Sequence, residues 1–75
     1  MSRHELDARN ILCPLPVIRT QDAIAGLAPG DELLVHCTDP GALHDIPTWC
    51  RINGHQVLAT EQQDRDIRIL VRVGG

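Results

Sequence analysis

The chain has 75 residues, 43% of them hydrophobic, with a formal net charge of −3, seven arginines and no lysine. That length holds one small domain, expected to span 1–75, with a thin core. Scattered arginines and a single aromatic residue, Trp49, exclude the basic patch and stacking platform that direct tight binding of nucleic acid requires.

Glu5 to Ala8 reads as a short first strand, with Leu6 and Ala8 on one face. Arg9 to Leu12 is a turn, and Asn10 tolerates a positive φ better than most residues. A first helix is expected from Pro14 to about Leu27. Its stripe is Val17, Gln21, Ile24 and Ala28, flanked by Thr20 and Leu27. Pro29-Gly30-Asp31 ends it. Glu32 to Thr38 reads as a strand, with Leu33, Val35 and Cys37 facing the helices. Asp39-Pro40-Gly41 is a turn before a second helix that stops at Gly54. Pro47 complicates its start: either the helix proper begins at Asp45 as N-cap, or a leading turn is kinked. The Asp45 start is favoured, with Ile46, Trp49, Cys50 and Asn53 on one face. His55 to Glu61 and Asp66 to Val73 read as a hairpin across a polar Gln62–Arg65 turn. The order β-α-β-α-β-β predicts an α/β two-layer sandwich, two helices on one face of a four-stranded mixed sheet. The other face carries Leu34, His36, Arg68, Leu70 and Arg72.

Cys13-Pro14-Leu15-Pro16 is the stretch that points to chemistry. Proline suits a first helical turn, and the residue before it is pushed out of the α region. Pro14 therefore reads as the first helical residue and Cys13 as its N-cap. Cysteine is not a favoured cap, and a broken local rule marks a place to look for function. A sulfur there faces the positive end of the helix, which favours thiolate. Pro14 and Pro16 remove N–H donors, so a large drop in thiol pKa is not expected. The competing reading is a small apolar residue that happens to precede proline. Three cysteines without a CxxC pair argue for a reducing compartment. No apolar run follows Met1–Glu5 and none is long enough to span a bilayer, so a cytoplasmic protein is expected.

The residues resemble the TusA/SirA family of small sulfur-carrier proteins. The resemblance covers nearly the whole chain. It rests on Leu6-Asp7-Ala8 followed by the CPxP signature of residues 13–16, on Asp39-Pro40 running to Asp45-Ile46-Pro47, and on Gly54-His55 leading into the hairpin. Family members usually have glycine where Asn10 stands. The resemblance implies a β-α-β-α-β-β sandwich that carries sulfane sulfur as a transient persulfide on Cys13, with no cofactor. It implies a cysteine desulfurase or rhodanese-type donor and a downstream acceptor protein serving tRNA 2-thiolation, cofactor maturation or sulfur oxidation. Pro14 and Pro16 would hold the sulfur's geometry. Leu15, Ile18 and Arg19 are expected to form a docking surface, and a monomer is expected.

Other readings stay open at this point. His36, Cys37, His44, Cys50 and His55 do not fall at common zinc spacings, so no metal is expected. Cys37 and Cys50 read as buried thiols, though a disulfide between them is conceivable if their Cβ atoms are close. His44 and His55 read as solvated surface residues. Gly74-Gly75 invites a carrier that bears sulfur as a terminal thiocarboxylate. A regulatory or interaction module that does not need Cys13 is a further class. A thiol oxidoreductase would want a resolving cysteine that CPLP lacks.

Overall fold

The computed structural model describes residues 2–74. The elements run β1 (Arg3–Ala8), α1 (Leu15–Ala25), β2 (Glu32–Cys37), α2 (Ala42–Ile52), β3 (Gln56–Gln63) and β4 (Asp66–Arg72). The sheet order is β1-β2-β4-β3. β1 and β2 are parallel, and β2–β4 and β4–β3 are antiparallel. This is the expected mixed sheet, with both helices on one face.

Alternation decides which strand residues are inside. Leu33, Val35 and Cys37 of β2 and Ile67, Ile69 and Val71 of β4 are buried, with Val73 just beyond β4. Val35 pairs with Leu6 on one side and Ile69 on the other, so three strands meet at the middle of the core. The helices add Ile24, Ala42, Ile46 and Cys50. The outer face is partly exposed at Leu34, His36 and Leu70 and exposed at Arg68 and Arg72, as alternation requires. β3 is the polar edge strand, with a bulge between Val57 and Ala59.

The helices depart from expectation in three ways. First, α1 begins at Leu15, with Pro14 as its N-cap and Cys13 one residue further out. The Cys13–Pro14 peptide is cis. Second, the buried stripe of α1 is Pro16, Thr20 and Ile24, while Gln21 and Ala28 are exposed. Pro16 is an apolar ring that helix patterning discounts, and Thr20 can be buried because its hydroxyl donates to the Pro16 carbonyl at 2.8 Å. Third, α2 starts at Ala42 with Gly41 as N-cap, not at Asp45. The Asp39-Pro40-Gly41 turn feeds straight into it. The Ala42 N–H donates to the Asp39 carbonyl at 3.0 Å and the Leu43 N–H to the Pro40 carbonyl at 3.1 Å. Pro47 is accommodated inside the helix at the loss of one backbone donor.

The end of α2 follows sequence expectation. Gly54 takes φ +80, and the His55 N–H closes on the Cys50 carbonyl at 2.8 Å. That is the hydrogen-bond pattern of a glycine-terminated helix. Asn10 likewise takes a positive φ of 64, and its N–H donates to the Thr38 hydroxyl at 2.9 Å.

Candidate functional site

Cys13 sits between the end of the β1–α1 loop and the start of α2. It is part-buried, whereas Cys37 and Cys50 are fully buried in the core. Burial pushes both core thiols up to about 11 and keeps them unreactive. All three cysteines are free thiols.

Two carboxylates hold Cys13. The Asp39 side chain accepts the Cys13 backbone N–H at 2.7 Å and the Gly41 N–H at 3.0 Å. It thus ties the cysteine loop to the first turn of α2. The Cys13 thiol donates to Asp45 Oδ2 at 2.9 Å. His44 Nδ1 lies 3.3 Å from the other oxygen of Asp45. Gly41 approaches the sulfur closely: a Cβ there would be 3.4 Å from Sγ.

The electrostatics run opposite to the expectation from a helix N-terminus. The hydrogen bond to Asp45, then burial, pushes the Cys13 thiol up to about 12. The Cys13 thiol and His44 hold the Asp45 carboxyl below its ordinary value, and the N–H groups of Cys13 and Gly41 do the same for Asp39. The start of α1 offers the sulfur little in opposition. The Leu15 N–H is used by the Leu12 carbonyl at 2.9 Å, and the prolines at 14 and 16 have none to offer. The two carboxylate charges beside the sulfur therefore set the direction of its shift.

Asp45 was expected to cap α2. It lies in the helix's first turn and points its carboxylate at the sulfur instead. Asp39 was expected only as a turn residue. Both carboxylates stood within the segment that carries the family resemblance, and that was the one signal for them.

Leu15 and Ile18, at 43% and 44% exposure, and Arg19 lie on the open side of α1. Leu12, beside Cys13, is 75% exposed, and sequence reading had passed it over as a turn residue. Among the described residues no group of three or more His, Cys, Asp or Glu side chains could hold a metal ion. No helix of the described residues is long and apolar enough to cross a membrane.

His55 is not a plain surface residue. Its ring stacks on Trp49 with centroids 5.2 Å apart, and its Nδ1 accepts the Gly74 N–H at 3.0 Å. A Cβ on Gly74 would run into the Gly54 carbonyl oxygen, so glycine at 74 has a packing reason. Gly75, the other half of the Gly-Gly pair, lies outside the described residues.

The family model of sulfurtransferase TusA matches residues 4–73, and the chain belongs to that family. It is 36% identical over 70 residues to YrkF of Bacillus subtilis (strain 168), a candidate sulfur carrier protein. That match covers 93% of this chain and 38% of YrkF, so the chain spans under two fifths of that relative's length. The crystal structure of a SirA-like protein from Desulfitobacterium hafniense matches with a TM-score of 0.84 at 24% identity, covering 96% of this chain and 99% of that one. At that identity the likeness concerns the fold.

Proposed function

We propose that this protein is a sulfur carrier that accepts sulfane sulfur as a persulfide on Cys13 and relays it to an acceptor protein. The observation that carries the reading is the contrast among its thiols. Cys13 alone of the three is within reach of solvent, on a loop pinned by Asp39, and Leu12, Leu15 and Ile18, close to it in the chain, are exposed. The site is a surface feature that another protein must complete.

The donor is a cysteine desulfurase or rhodanese-type protein holding a persulfide. Cys13 Sγ attacks the donor's terminal sulfur and a new S–S bond forms. The donor's own S–S bond breaks, with its electron pair going to the donor cysteine. The Cys13 proton ends on that leaving sulfur, and no net oxidation occurs. The acceptor repeats the step in reverse. Leu12, Leu15, Ile18 and Arg19 form the docking surface. The same surface, not the sulfur, selects among acceptors serving tRNA 2-thiolation, cofactor maturation or sulfur oxidation. The carrier acts as a monomer and reaches RNA only through a partner.

Incubation of the wild-type protein with a cysteine desulfurase, cysteine and the desulfurase's cofactor is expected to add the mass of one sulfur atom. A thiol reductant is expected to remove it. No gain from either a desulfurase or a rhodanese-type donor would overturn the carrier reading.

A further inference from the structure

We propose that Asp45 is a positioning residue that sets the charge on the Cys13 sulfur, keeping the unloaded carrier a neutral thiol and working against the anionic persulfide that loading creates. This rests on the carrier reading above. The geometry carries it. Among the described residues the Asp45 side chain has two hydrogen-bond partners, the Cys13 thiol at 2.9 Å and His44 Nδ1 at 3.3 Å, and neither is a backbone group of α2. The side chain therefore does not cap the helix whose first turn it occupies. An ionised carboxylate only accepts hydrogen bonds, so its bond to sulfur exists only while the sulfur keeps its proton.

The surrounding charges reinforce this. Asp39, from the β2–α2 loop, adds a second negative charge beside Cys13. Among the described residues His44 on α2 is the one basic group in hydrogen-bond contact with Asp45, and its side chain is 85% exposed. Arg3, Arg9, Arg68 and Arg72 form their ion pairs elsewhere, with Glu32, Asp7 and Glu61. The upward push on the Cys13 thiol agrees with this placement.

The consequence follows from the charge balance of loading. A neutral Cys13 thiol and an anionic donor persulfide become an anionic Cys13 persulfide and a neutral donor thiol. Loading thus places a negative charge on the sulfur that faces Asp45, and unloading removes it. The carrier resists adventitious oxidation when empty and gives its sulfur up readily when full. A partner that brings a cation to Asp45 would relieve both effects.

The test is the titration of Cys13, followed by the 13C chemical shift of its Cβ, in wild type, Asp45→Asn and Asp45→Ala. Wild type is expected to titrate well above free cysteine, which lies near about 8.5. Both variants are expected to titrate at least one pH unit lower than wild type, about a tenfold gain in thiolate at any pH well below both midpoints. A wild-type midpoint at or below that of free cysteine would overturn the proposal, as would variant midpoints less than one unit below it. A merely structural role would lower the melting temperature and leave the midpoint in place. No sulfur donor is used, so this result stands apart from the success or failure of sulfur loading.

Discussion

Cys13→Ser is expected to abolish sulfur loading while leaving the fold intact. The substitution exchanges one atom. The serine hydroxyl can still donate to Asp45, as the thiol does at 2.9 Å, and the Asp39 bonds to the Cys13 and Gly41 N–H groups use backbone only. With these hydrogen bonds kept, the change in stability is expected to stay within about 1 kcal/mol. A hydroxyl, however, is far too weak a nucleophile near neutral pH to take a sulfane sulfur. The gain of one sulfur in intact mass should therefore fall to the level of a control without donor, with an unchanged melting curve. Full loading of the serine variant would move the chemistry to Cys37, Cys50 or the terminal glycines. Full biological activity without loading would favour an interaction module.

Ile69→Ala is expected to be the most damaging of the simple core truncations. Ile69 is fully buried at the middle of β4, paired with Val35 on one side and Thr60 on the other. Truncating a buried isoleucine to alanine costs about 2–5 kcal/mol, because the removed atoms lose their burial and leave a cavity. A domain of 75 residues has a total stability of only about 4–11 kcal/mol. Urea unfolding should therefore show a midpoint about 2 M lower, taking a slope of about 1–2 kcal/mol per molar for a small protein. Arg68→Ala, on the exposed outer face of the same strand, should stay within about 0.5 kcal/mol of wild type. Equal effects at the two positions would mean that the inner and outer faces are wrongly assigned.

The two faces of β4 illustrate what was legible in the sequence. Ile67, Ile69, Val71 and Val73 alternate with Arg68, Leu70 and Arg72, and no other regular structure separates those sets so cleanly. Gly54 and Asn10 were legible for a similar reason, since each sits where a turn needs a left-handed backbone. The starts of both helices were not. Around Cys13 and Asp45 a local rule competed with a tertiary contact and lost. Asp45 looks like a cap because Pro47 stands two residues after it, where a first helical turn tolerates proline, but its carboxylate bonds a thiol 32 residues earlier in the chain. Asp39 looks like a turn residue, but it also accepts the N–H of Cys13 from 26 residues away. Such pairings leave no periodic trace. The sequence therefore pointed to the Cys13 thiol while missing the charges around it, and the direction of the thiol's perturbation changed as a result.

Site-resolved mass analysis of the loaded wild-type protein tests the central claim most directly. Cleavage after arginine puts Cys13 alone on residues 10–19, Cys37 and Cys50 together on 20–51, and the terminal glycines on 73–75. After loading by a sulfur donor and capping with an alkylating agent, the extra sulfur should appear only on the 10–19 peptide. Finding it on 20–51 or 73–75, with the 10–19 peptide unmodified, would contradict the assignment of Cys13 as the sulfur-bearing residue.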